Sequence, residues 1–121
     1  IEFASTRSWL AIVWTIVMCV LFLMPTLPST SAPLIPGLDK IVHIAFFAVF
    51  TFLWNFRFSR QRWGVLLIAI VFGIAVEYLQ DGMGLGRSFD TYDIVADVAG
   101  ALLGLVFKQV FEKFIKRRLE N

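Results

Sequence analysis

Apolar and polar positions along the chain fall into four long apolar runs separated by short polar breaks. The first run extends from about Ser8 to Met24, the second from Asp39 to Phe56 and the third from Trp63 to Gln80. The fourth opens near Asp90, stays apolar to Phe107 and becomes amphipathic through Leu119. Each is close to the minimum of about 17 residues that a helix needs to cross the hydrocarbon core of a bilayer. The breaks have the chemistry of loops: Pro25, Pro28, Pro33 and Pro36, then Arg57, Arg60 and Arg62, then Gly82, Gly84 and Gly86. The pattern predicts one domain over residues 1–121, without internal repeats, with helices over 8–24, 39–56, 63–80 and 91–117. Arg7, the run behind it and the small residues near Ser31 and Ala32 also have the layout of a cleaved signal. This stretch is counted here as a helix.

Composition settles which solvent those helices face. The chain is 59% hydrophobic and 17% charged, with mean hydropathy +0.79. A soluble domain is about 45–50% apolar and about 25% charged. Too little of each helix is polar for a soluble bundle. The expected fold class is therefore all-α, an integral membrane four-helix bundle. Nine basic residues fall at one end: Arg7, Arg57, Arg60, Arg62, Lys108, Lys113, Lys116, Arg117 and Arg118. Only two, Lys40 and Arg87, fall at the other. By the positive-inside rule both termini and the 57–62 turn are expected in the cytoplasm. Trp9, Trp54 and Trp63 are expected at the inner interface, Tyr78 and Tyr92 at the outer one. The basic stretch 108–118 is expected on anionic headgroups, which accounts for a pI near 9.0 without nucleic acid. Cys19 stands alone within an apolar run and reads as a small apolar residue.

The acidic residues lie at the opposite end. Asp39, Glu77, Asp81, Asp90, Asp93 and Asp97 fall in the outer loops or outer helix ends, with the lone histidine, His43. Asp39 suits an N-cap of the second helix, and a pair with His43, one turn on, would fix the imidazole tautomer. Asp81 is expected in solvent. Glu77 is a turn deeper among apolar neighbours, so it must face the bundle interior. Asp90 and Asp93 suit the start of the fourth helix, by capping and by the dipole. Asp97 lies about two turns in and has no such explanation. Gly100 and Gly104 continue its face, and their spacing lets another helix pack closely. The aspartate face is thus expected to point at protein. Arg87 is either a loop charge or a guanidinium that bridges the carboxylates or binds a phosphate. A His-and-carboxylate set could hold a divalent metal, although the spacing matches no recognised metal motif.

DKIVH at 39–43, EYLQ at 77–80 and GRSFDTYDIVADVAGALLG at 86–104 resemble, in combination, the VanZ-like family. Where that family often has Asn, this chain has Asp97, which makes the cluster more acidic. The resemblance covers residues 39–104 and the four-helix layout. It implies a multi-pass protein of the bacterial cytoplasmic membrane, linked to glycopeptide (teicoplanin-type) resistance. It also carries over Asp39, Lys40, His43, Glu77, Gln80, Arg87, Asp90, Asp93, Asp97 and Gly100. One expected function is an enzyme acting on an envelope lipid or lipid-linked molecule from outside. In that reading His43, Glu77, Asp93 and Asp97 are catalytic, and Asp39, Lys40, Gln80, Arg87 and Asp90 hold substrate. A second is binding of a lipid headgroup or lipoglycopeptide without chemistry. Ion transport ranks below both, because no charge is expected in the inner half of the helices.

Overall fold

The computed structural model describes the backbone of residues 2–23, 38–82 and 91–120, and the side chains of residues 8–23, 40–82 and 91–119. Four helices follow in order: α1 (Glu2–Phe22), α2 (Leu38–Arg57), α3 (Arg62–Gly82) and α4 (Thr91–Glu120). No strand occurs among the described residues. The boundaries fall close to those the apolar pattern predicts. α1 begins earlier than expected, ahead of the apolar run, and α4 carries its basic extension on as one continuous helix.

The packing is inside-out for water and right for lipid. His43, Thr51, Asn55, Glu77, Gln80, Asp97 and Lys108 are buried. Large apolar side chains such as Ile16, Leu67, Ile68, Val71, Val106 and Phe107 are exposed. A bilayer accepts that surface, whereas a water-soluble protein rarely presents so much contiguous apolar area. α2 over Lys40–Arg57, α3 over Arg62–Gly82 and α4 over Thr91–Leu119 are long and apolar enough to cross a membrane. The described apolar part of α1, Ser8–Phe22, is shorter. The four helices that the apolar runs predict are all present. The first run is bounded by Arg7 on one side, and its helix ends at Phe22, before Pro25.

Cross-helix contacts fix the directions. Trp54 of α2 donates its indole N–H to Thr15 Oγ1 of α1 (3.0 Å), and Phe22 at the far end of α1 meets His43 near the start of α2. α1 and α2 are therefore antiparallel. α2 and α4 run parallel: His43 meets Asp97, Ile44 meets Gly100, Ala48 meets Gly104 and Phe56 meets Phe111. Gly100 and Gly104 allow this. A Cβ on Gly100 would stand 2.8 Å from Ile44 Cα, and one on Gly104 would collide with Thr51 Oγ1 and the Ala48 carbonyl. Thr51 uses the closeness, donating to the Ala101 carbonyl at 2.8 Å. The expected close packing on the glycine face is thus the α2–α4 contact.

An apolar core of Met18, Phe22, Phe47, Phe50, Ala69, Val76 and Ala101 fills the centre. Its rings interlock, with Phe50 stacked on Phe72 at 5.4 Å and Phe47 tilted on Phe72 at 5.9 Å. Trp9, Trp63, Tyr78 and Tyr92 are exposed, as belt residues would be. Trp54, one turn from the Arg57 end of α2, is half-buried in the α1–α2 contact through its bond to Thr15. Lys108 departs from expectation. It is not part of a tail on headgroups but is 4% exposed, paired with Glu112 one turn on and set over the Phe56 ring at 5.6 Å. The half of the bundle that was expected to lie on the inner side therefore does hold a charge. Phe56 and Glu112 together give the ammonium an aromatic face and a counter-ion, and these make its burial tolerable.

Candidate functional site

The site forms where α2, α3 and α4 meet at the end of the bundle opposite the α2–α3 turn. α4 supplies two carboxylates on one face, because Asp93 and Asp97 are one helical turn apart. α2 supplies Lys40 and His43, three residues apart and again on one face. Parallel packing of the two helices sets these pairs side by side. His43 Nδ1 lies 2.7 Å from Asp97 Oδ1. His43 Nε2 lies 3.8 Å from Asp93 Oδ2, and Lys40 Nζ donates to Asp93 Oδ1 at 2.6 Å. The result is a relay with alternating partners: Asp97, His43, Asp93, Lys40. Side-chain exposure rises along it, from 3% at Asp97 and 7% at His43 to 14% at Asp93 and 29% at Lys40. The relay thus leads from the protein interior to the surface.

The geometry assigns the tautomer. A carboxylate at Nδ1 accepts the proton that this nitrogen carries in the neutral ring, and leaves the lone pair on Nε2. Asp97 thereby orients the imidazole, and Nε2 faces Asp93. Phe22 lies over the imidazole, 4.7 Å between centroids and 23° from parallel. It closes the ring's other surroundings with apolar area and fixes its plane. Asp97 has room only because α3 carries glycine opposite it: a Cβ at Gly73 would stand 2.8 Å from Asp97 Oδ2.

α3 presents Gly73, Val76, Glu77 and Gln80 inward, and all four are buried. Glu77, 1% exposed, faces the interior as expected, one turn along α3 from the Gly73 that meets Asp97. Gln80, expected to hold substrate, donates to the Phe22 carbonyl at 2.6 Å and ties the end of α1 to α3. It therefore holds in place the ring that covers His43.

The structure brings together Lys40, His43, Glu77, Asp93 and Asp97. Asp39 falls inside the first turn of α2, which begins two residues earlier than an N-cap role requires, and its side chain lies outside the described residues. Asp97 on α4 partners His43 Nδ1, and the expected Asp39–His43 pair lies outside the described residues. Arg87 and Asp90 lie outside the described residues. Asp81 is exposed, as expected. Among the described residues no group of three or more His, Cys, Asp or Glu is arranged to hold a metal ion. Phe22 and Gly73 belong to the site's construction and were not singled out from the sequence. An isolated glycine inside an apolar helical run was the available signal for Gly73.

Comparison with known proteins identifies the family. The VanZ/LLP1 family model matches residues 3–112. A fission-yeast protein (Schizosaccharomyces pombe), described as uncharacterized protein C11E3.10, is 33% identical over 128 residues, which cover 100% of this chain and 73% of that protein. No solved structure matches the chain. The matched span includes all of α2 and α3 and every member of the relay, and the chain belongs to the VanZ/LLP1 family.

Proposed function

We propose that this membrane protein, with both termini in the cytoplasm, works on a lipid or lipid-linked molecule from the extracytoplasmic side. In this reading His43 is the general base and Asp97 orients it. The distance that carries the proposal is the 2.7 Å contact between His43 Nδ1 and Asp97 Oδ1. A buried carboxylate behind an imidazole whose other nitrogen faces a second carboxylate is an arrangement for moving a proton. Nε2 would take a proton from a water or hydroxyl at the headgroup. Asp93, across from it, would receive or return one. Lys40 stands at the exposed mouth, where an anionic headgroup would compete with Asp93 for its ammonium. Glu77, set deeper, is the candidate acid for the leaving group. Orientation follows from the nine-to-two distribution of basic residues. It sets the relay at the outer leaflet. In a bacterial cell such a site would act on envelope lipid in the cytoplasmic membrane and contribute to glycopeptide (teicoplanin-type) resistance.

Comparative lipid mass spectrometry of membranes containing the wild type and His43→Gln tests the reading. Glutamine keeps a hydrogen-bonding side chain at the position but cannot cycle a proton. The expected result is a lipid species formed or consumed by the wild type and unchanged by the variant, with helical content equal by circular dichroism. Indistinguishable lipid profiles in the two membranes would remove the catalytic assignment. Retention of a co-purifying lipid without any product would point to binding alone.

A further inference from the structure

At the end of the bundle opposite the relay, two concavities adjoin. One, of about 820 Å³, lies between the α2–α3 turn and the extension of α4 and is lined by Arg62, Lys113 and Lys116 together with Ser59 and Gln109. The other, of about 600 Å³, is a groove between α2 and α4 lined by apolar residues alone, among them Ala48, Val49, Phe52, Val110 and Phe114. Phe111 lines both. The basic concavity also contains Lys108 and Glu112, but these two are paired to each other. Among the described residues that line it, Arg62, Lys113 and Lys116 leave the recess with an excess of positive charge. A cationic recess that opens into an apolar groove running along a spanning helix matches an amphiphile with an anionic head.

We infer that this composite site holds one anionic phospholipid, its phosphate against Arg62, Lys113 and Lys116 and one acyl chain in the groove between α2 and α4. The chemistry of the walls selects this occupant. The groove is flanked by a span long enough to cross the bilayer, so hydrocarbon already surrounds it. Small residues on α2, Ala45 and Ala48, open its floor, while Phe107, Val110 and Phe114 form its α4 wall. The guanidinium of Arg62 and the ammonium groups of Lys113 and Lys116 suit a phosphodiester, bidentately and as point charges respectively. A zwitterionic headgroup brings its own cation into a recess that is already positive, and is disfavoured. The site is independent of the relay and lies at the leaflet that the positive-inside rule assigns to the cytoplasm, where anionic lipid is attracted by basic residues.

The full chain, purified in detergent, is incubated with dioleoyl-phosphatidylglycerol or dioleoyl-phosphatidylcholine, and retained lipid is counted by native mass spectrometry. Wild type is expected to retain one phosphatidylglycerol in preference to phosphatidylcholine. The variant R62Q/K113Q/K116Q is expected to lose that retention by about tenfold or more, since each basic residue near anionic lipid contributes substantially. The control R57Q/R60Q/R117Q removes the same charge from the same end without touching the recess or the groove. It is expected to keep most of the retention. Equal loss in both variants would show a diffuse field and no site, and would overturn the inference. So would equal retention of the two lipids by the wild type. Val110→Trp fills the groove from its exposed α4 wall and is expected to weaken retention while the basic recess stays intact. Unchanged retention in that variant would refute the acyl-chain half of the proposal.

Discussion

Replacement of Gly100 by alanine tests whether the α2–α4 contact sets the site. The new methyl would stand 2.8 Å from Ile44 Cα and 2.9 Å from Ile44 C. Carbon atoms at rest are about 3.5–4.0 Å apart. The facing atoms are main chain, so no side chain can rotate away, and the helices must part by roughly 0.7 Å or more at this level. Overpacking of this kind costs about 1–3 kcal/mol. Alanine's better helix propensity returns about 1 kcal/mol at most. With the full propensity gain the net is a loss of up to about 2 kcal/mol. Asp97 lies one turn away, so the same opening would stretch its 2.7 Å contact with His43 to the edge of hydrogen bonding. Gly64→Ala is the matched control. Its methyl would find only Gln61 Cβ, at 3.9 Å, so the propensity gain is expected without strain. Unfolding of the micelle-bound protein by sodium dodecyl sulfate, followed by the fluorescence of half-buried Trp14 and Trp54, gives both values. The expected order is Gly64→Ala above wild type and wild type above Gly100→Ala, with the His43 ring nitrogens shifted in NMR spectra only in the last. A Gly100→Ala protein as stable as Gly64→Ala would refute the reasoning.

Gln80→Leu removes the 2.6 Å bond to the Phe22 carbonyl and should release the end of α1. Amide exchange at Leu21 and Phe22 is expected to accelerate while α3 stays protected, and unchanged exchange there would deny the clamp. Asp97→Asn keeps an oxygen that can accept from His43 Nδ1, so the fold is expected to hold, whereas the near-isosteric Asp97→Leu leaves that buried donor without its acceptor and should cost about 1–3 kcal/mol. Equal stability of the two variants in the same unfolding assay would show that the contact contributes nothing.

How much of this was legible in the sequence follows from which interactions are local. The face of α4 was readable because Asp93, Asp97, Gly100 and Gly104 share a helical stripe, and charge beside glycine in an apolar run cannot face lipid. Glu77 was readable for the same reason. The partner of His43 was not. Spacing on one helix favours Asp39, and nothing in a sequence ranks that neighbour against a carboxylate 54 residues away. Lys108 was misplaced because it begins a run of basic residues. Its burial depends on Phe56 from another helix, and a one-dimensional pattern carries no such information. The Gln80–Phe22 bond had no signal at all, since a glutamine near a helix end is ordinary and its acceptor is a backbone carbonyl.

The glycines of α4 and the choice of aspartate at position 97 are one specification. An aspartate carboxylate stands a single methylene from its backbone, so it reaches a histidine on a neighbouring helix only when the two main chains are close. Gly100 and Gly104 supply that closeness below the site, and Gly73 supplies space on the third side. A bundle with alanine or leucine on these stripes would keep its spans and its hydropathy. It would also hold α2 and α4 too far apart for Asp97 to orient His43. The helices set depth and direction, but the missing side chains decide whether the imidazole has a partner. For that reason the glycine stripe is as much a part of the site as the charged groups that it brings together.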